Sequence, residues 1–279
     1  MSQIRYPNVT NATVKHSSII QEIAEFKSDM RRYFQVVLAL LRREEEIRRR
    51  APLEASLEVL EPVVLLLTVG SLRFFMGTAP LTLGYDTVFF LATGFFPKYM
   101  FLWISNYMHI SVLRVTRRYP VERRLDYIFV HILLRVVDYS IVGVVLFGVM
   151  YLVLTHTAWP FDFRPIILAL FAMAMLGFGW GVANMLLMQL VWFWKYVFMV
   201  LNRALIIISG ALFVPDFLSP SVRYWLSFNP TLHAIALFRT GFFEHYPTIL
   251  LDRTYLAYCC VISVVAGFVL ERVTRRFEA

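Results

Sequence analysis

Three carboxylates, Glu54, Glu58 and Glu61, fall at spacings of four and three, which places them on one face of a helix. Such a row can gate the entry of a charged headgroup or a sugar acid. It is equally the ordinary start of a helix, where acidic side chains suit the positive end of the dipole. Pro62 follows and marks a helix start or kink. Glu61 lies closest to the apolar run, where an ionisable group is costly and by default functional. Lys98, after Pro97, sits in the middle of another apolar stretch, and Asp138 comes one turn beyond Arg135 in a third. Intramembrane charges face a bundle interior or a wet cavity, so Lys98 reads as a cavity-lining residue or a snorkelling one, and Asp138 as a structural partner of Arg135.

Aromatic residues are dense around Lys98: Phe95, Phe96, Tyr99, Phe101, Trp103 and Tyr107. Aromatic faces lining a pathway would stack on sugar rings; the competing reading is an aromatic belt at the membrane interface, which suits Trp192, Phe193, Trp194, Tyr196 and Phe198 better. The histidines His109, His131, His156, His233 and His245 are scattered without metal-ligand spacing, and no Walker sequence is present. The chain reads as neither a metal-binding protein nor a nucleotide-binding one, and no catalytic residues are expected. Cys259 and Cys260 are adjacent in an apolar run and read as small packing residues rather than a disulfide.

The elements that position these residues are apolar spans. Apolar residues make up 59% of the 279 and charged residues 16%, with a mean hydropathy of +0.63, which is the composition of an all-α integral membrane protein. A span takes about 20 apolar residues, so the length holds about six. The expected spans are 56–75, 87–112, 127–154, 165–190, 197–214 and 250–270. Before them, residues 1–25 read as a cytosolic tail without a signal peptide. Residues 26–50 read as an amphipathic interface helix, with Phe26, Met30, Tyr33, Val37 and Leu41 on one face and most basic residues elsewhere.

The net charge of +8 gathers at segment ends and is not a nucleic-acid signature. Basic residues crowd the N-terminal region, the loop after the second span, the connection holding Lys195 and Arg203, and the C-terminal tail; loops 77–86 and 155–164 hold only Arg164. Both termini are therefore expected in the cytosol. Between the fifth and sixth spans, about 215–248, the chain is too broken by Pro215, Pro220, Pro230 and Pro247 for a full span and too apolar for an ordinary loop. It reads as a re-entrant pair of short helices entering from the outer side.

These parts together resemble the permease subunit of the ABC-2 transporter family, most closely its capsule and cell-surface polysaccharide exporters. The resemblance covers nearly all of the chain after residue 25. Glu61-Pro62 is similar to the Glu-Pro of the family's first span, and Tyr119, Pro120, Val121 and Glu122 to the loop that docks on the ATPase. Most specific are 209–215 (SGALFVP) and 224–239 (YWLSFNPTLHAIALFR), with Ser209, Gly210, Pro215, Asn229, Pro230, His233 and Arg239 at the family's positions. Ala236 departs from it, where polysaccharide members often carry a Glu that would pair with Arg239.

The resemblance implies a homodimer in a bacterial inner membrane with two ABC ATPase subunits that bind the ATP and Mg, so no cofactor belongs to this chain. It implies export of a lipid-linked polysaccharide, contact with membrane lipids, and hand-over to periplasmic or outer-membrane export proteins. On this reading Arg117, Arg118, Tyr119, Pro120, Val121, Glu122, Arg123 and Arg124 couple to the ATPase, and Glu61, Phe95, Lys98, Tyr99, Trp103 and Tyr107 line the pathway. Competing readings are an ABC-2 exporter of O-antigen, teichoic acid or a small lipophilic compound, a membrane-embedded lipid-linked sugar transferase, and a purely structural assembly subunit.

Overall fold

The computed structural model describes residues 86–115, 124–153 and 159–278, with scattered positions before residue 70. The chain divides into two units, Met1–Arg50 and Ala51–Ala279, and the fold described belongs to the second. Within the described residues every regular element is helical. In order these are α1 (Thr87–Val115), α2 (Arg124–Val153), α3 (Phe163–Leu190), α4 (Trp194–Ile208), a 3-10 turn (Pro215–Phe217), α5 (Pro220–Leu226), α6 (Pro230–Arg239) and α7 (Arg253–Glu278). The expected interface helix and first span lie outside the described residues.

Four helices hold stretches long and apolar enough to cross a membrane: Thr87–Asn106, Ile132–Val153, Phe163–Leu190 and Arg253–Val273. Their starts are written in the sequence. Asp86 accepts the N–H groups of Val88 (2.8 Å) and Phe89 (3.1 Å), Asp162 accepts that of Arg164 (2.9 Å), and Asp252 accepts that of Tyr255 (2.9 Å). Each carboxylate thus satisfies donors that the first helical turn leaves open.

α4 is shorter than the expected 197–214 span. Its 15 residues reach about 22 Å, against roughly 30 Å of hydrocarbon. It ends where Ser209 donates its N–H back to the Leu205 carbonyl at 3.0 Å and Gly210 turns the chain at φ 75°.

α1 is the central helix: 89% of Thr87–Asn106 is buried, against 22% of the corresponding stretches of α2 and α7. α3 packs on both α1 and α7. At the α3–α7 crossing the backbones come so close that a Cβ on Gly179 would lie 2.1 Å from the Ser263 carbonyl oxygen, the small-residue contact by which helices pack where lipid removes the hydrophobic drive between them. The junction of α1, α2 and α6 is filled by rings, Phe147 stacking on Phe242 at 4.6 Å and Phe96 on Tyr139 at 4.5 Å. Outward faces are apolar at helical spacing, with Ile141, Val144, Val145, Val149 and Leu152 on α2 and Tyr258, Val261, Ile262, Val265, Phe268 and Val269 on α7. Apolar stripes facing outwards are what lipid, as solvent, requires.

Candidate functional site

The 209–252 segment is irregular backbone packed among spanning helices, so its carbonyls and amides need donors and acceptors from protein. Arg239, at the end of α6 and fully buried, supplies the donors for three of the turn carbonyls. Its Nη1 donates to the Gly210 carbonyl (2.9 Å), the Phe213 carbonyl (3.1 Å) and the Tyr246 hydroxyl (3.3 Å). Its Nη2 donates to the carbonyls of Ala211 (2.7 Å) and Phe90 (3.4 Å), and its Nε to the Thr93 hydroxyl (3.4 Å). The guanidinium carbon stands 3.9 Å from the Phe90 ring centre. A planar fork of five N–H donors suits a cluster of turn carbonyls in a way a point charge does not. All six hydrogen-bond partners are neutral, so Arg239 is satisfied with Ala236 where a carboxylate was expected.

Gly210 is required twice over at this turn. Its positive φ disfavours any side chain, and a Cβ would meet Pro215 Cγ at 3.0 Å. Across the contact, a Cβ on Gly94 of α1 would lie 2.3 Å from the Ala211 carbonyl oxygen and 2.6 Å from Arg239 Nη2. The turn therefore rests directly on the backbone of the central helix. Ser209 turns its hydroxyl back to the Ile206 carbonyl at 2.8 Å.

Asn229 and Pro230 start α6. Asn229 Oδ1 accepts the N–H of Thr231 (3.1 Å) and its hydroxyl (2.9 Å), while Nδ2 donates to the Ile208 carbonyl at the end of α4 (3.3 Å). Pro230 takes the first helical position, where its missing N–H costs nothing. Lys98, fully buried in α1, reaches the Thr231 hydroxyl at 3.4 Å and lies 4.5 Å from the Phe101 ring centre. His233 locks the other side. Its Nδ1 accepts the Asp252 N–H at 3.2 Å, so Nε2 carries the proton and donates to the Ser227 carbonyl at 2.7 Å. Two carboxylates fix the connections 215–217 and 248–255 of the segment. Asp216 accepts the Leu250 N–H at 2.9 Å, and burial holds its carboxyl above the usual carboxylate value against that bond and the charge of Arg223. The Tyr255 N–H and the Thr254 hydroxyl hold the Asp252 carboxyl below its usual value.

The residues singled out at 209–239 thus form separate groups of hydrogen bonds: Arg239 on the turn after α4, Asn229 and Thr231 with Lys98 and the end of α4, and His233 with Ser227 and Asp252. Phe95, Tyr99 and Trp103 are buried within the chain's own core; Phe95 lies 6.4 Å from Tyr99, and Trp103 stands edge-on to Tyr139 at 4.9 Å. Arg135, also buried, lies 5.6 Å from the Trp103 ring centre. Glu61, the Tyr107 side chain and the coupling residues Arg117, Arg118, Tyr119, Pro120, Val121, Glu122 and Arg123 lie outside the described residues, as does the Arg124 side chain. Sequence reasoning missed Phe90, Thr93, Thr231, Tyr246 and Asp252. Of these only Asp252 carried a local signal, an Asp before a helical run. No family model and no curated protein sequence matches this chain.

Proposed function

We propose that this chain is the permease subunit of an ATP-driven ABC exporter that carries capsular or related lipid-linked polysaccharide from the cytosol across a bacterial inner membrane. The observation that carries this reading is the 209–252 segment. Two short helices, of 7 and 10 residues, sit in irregular backbone between α4 and α7, and Arg239 at the end of the second joins the carbonyls of the turn after α4 to α1. Helices of that length reach about 11 and 15 Å and do not cross a bilayer. Non-helical backbone at membrane depth is tolerated where it is buried in protein or lines a cavity, and transport proteins place it along the path of their cargo. The resemblance of 209–239 to the polysaccharide exporters supports the choice of cargo.

On this reading the segment is re-entrant and forms part of the outer exit, α4 is completed across the membrane by the turn that follows it, and the six spans of each subunit enclose a pathway in a homodimer. Two ATPase partners act through residues 117–124 and the interface helix 26–50. Lys98, Thr231, Asn229 and the end of α4 form the link by which a shift of α1 reaches the outer helices.

The test is affinity purification of the tagged chain from its native membrane in mild detergent, with mass spectrometry of proteins and retained glycolipid. The reading expects an ABC ATPase in equal amount and a lipid-linked glycan. An ATPase without glycan would move the cargo to lipids or small compounds. Absence of any ATPase would overturn the reading.

A further inference from the structure

Between α5 and the start of α7 lies a cleft of about 440 Å³, within the size range of small-molecule sites. Its lining divides into apolar walls and a polar rim. Tyr224 and Phe228, 61% and 54% exposed, meet edge to face with ring centres 5.2 Å apart, so each offers its own face at right angles to the other's. Tyr255 presents only its ring, because its hydroxyl is spent on the Phe228 carbonyl at 2.7 Å. His233 closes the floor with both nitrogens already bonded.

The rim holds the groups still free to bind. Among the described residues no hydrogen bond engages the Arg223 guanidinium, on which Asp216 acts through charge alone. Asp252 uses Oδ1 for the Thr254 hydroxyl (2.7 Å) and the Tyr255 N–H (2.9 Å) and stays exposed at the cleft's edge. A ligand that fits must show an apolar face to the rings and hydroxyl groups at its edge, where a guanidinium donates and a carboxylate accepts. A sugar ring has both. The two rim charges oppose each other, which disfavours a polyanion, and the volume is that of a mono- or disaccharide.

We propose that this cleft binds one or two neutral pyranose rings, stacked on Tyr224 and Phe228, with hydroxyl groups bonded to Arg223 and Asp252. That these rings belong to the exported glycan rests on the export reading above; the saccharide chemistry of the cleft does not. A glycan leaving the segment would meet this cleft on the α5 face of the exit, where weak binding would hold the emerging end.

The experiment is saturation-transfer NMR on the full chain in lipid nanodiscs, purified without sugar-based detergent, with cellobiose, chitobiose and a hyaluronan disaccharide as probes. Transfer to ring C–H protons of at least one neutral disaccharide is expected. The signal should fall at least about fivefold in Tyr224→Ala and in Arg223→Ala, as loss of a stacking or charged contact predicts. It should persist in Tyr224→Phe, which keeps the ring, and in Trp192→Ala, which removes an exposed aromatic away from the cleft and controls for folding. No transfer from either neutral disaccharide, or equal transfer in wild type and the alanine variants, would overturn the assignment. Binding of the acidic probe alone would overturn the neutral specificity. Because the measurement needs no ATPase, saccharide binding in a chain that purifies without one would leave the cleft standing and remove the exporter reading, and the converse result would separate them the other way.

Discussion

Arg239 is a buried cation held by carbonyls, hydroxyls and a ring face. Hydrogen bonds to a charged group are worth about 1.5–3 kcal/mol each, and effective desolvation of an ion costs several kcal/mol, so the site is stable only while the fork is fully used. Arg239→Ala would leave the Gly210, Ala211 and Phe213 carbonyls without their donor. Each buried orphan costs about 1–3 kcal/mol, so Arg239→Ala is expected to abolish recovery of folded protein in detergent. Arg239→Lys keeps the charge without the planar fork and should be recovered folded but melt below wild type. Fluorescence-detected size exclusion after heating checks both, and wild-type melting of Arg239→Ala would contradict the role. Gly210→Ala should cost about 1–2 kcal/mol from its positive φ alone. Asn229, Pro230, His233 and Arg239 were visible in the sequence as a spaced set. Their partners were not, because Lys98 is 133 residues from Thr231 and Arg239 is 146 from Thr93, and no periodicity spans that distance.

At the scale of elements, apolar runs made α1, α2, α3 and the start of α7 legible to within about three residues, while α7 runs on to Glu278, past the expected end at 270. Their boundaries follow from burial and from orphan N–H groups, both local properties. The fifth span was read too long because residues 211–214 are as apolar as a helix. What ends α4 is the left-handed Gly210, whose need becomes visible only when Pro215 and α1 are packed against it. Asn229→Ala removes the α6 cap and the tie to Ile208, and should cost about 1–2 kcal/mol. Asn229→Asp keeps the cap but loses the Nδ2 donor, and should recover part of the loss.

The carboxylates of Asp216 and Asp252 predict opposite responses to pH. Asp252 is held below its unfolded value of 3.8, so its capping stabilisation is complete above that value and is lost as pH falls through the lower folded value. Asp216 is held above 3.8, so its contribution is complete below that value and is lost as pH rises through the folded one. In melting curves across the acid range, Asp252→Asn should flatten the acid-side fall in stability, and Asp216→Asn should remove a loss that appears on the way to neutral pH. An unchanged pH profile in both variants would contradict these assignments.

Across the whole molecule, α1 lies inside and the stripes of α2 and α7 lie outside, the arrangement expected when the surrounding solvent is hydrocarbon. Val145→Arg or Val265→Arg would set a charge on such a stripe, at a cost of about 2.5–3.5 kcal/mol at bilayer centre. Reduced membrane integration is expected, whereas a change at exposed Arg203 should be tolerated. The buried aromatics of α1 are the less legible part at this scale. Phe95, Tyr99 and Trp103 carry the residue types of a sugar-stacking wall, yet those same types build a core, and sequence alone does not separate the two uses.

Deletion of the gene in the native cell separates the proposed export of a glycan from its synthesis. Export predicts that surface polysaccharide disappears while its lipid-linked form accumulates inside the cytoplasmic membrane, both restored by the wild-type chain and neither by Arg239→Ala. Surface polysaccharide that persists, or that is lost with no internal accumulation, would contradict it, the second result pointing to a role in synthesis.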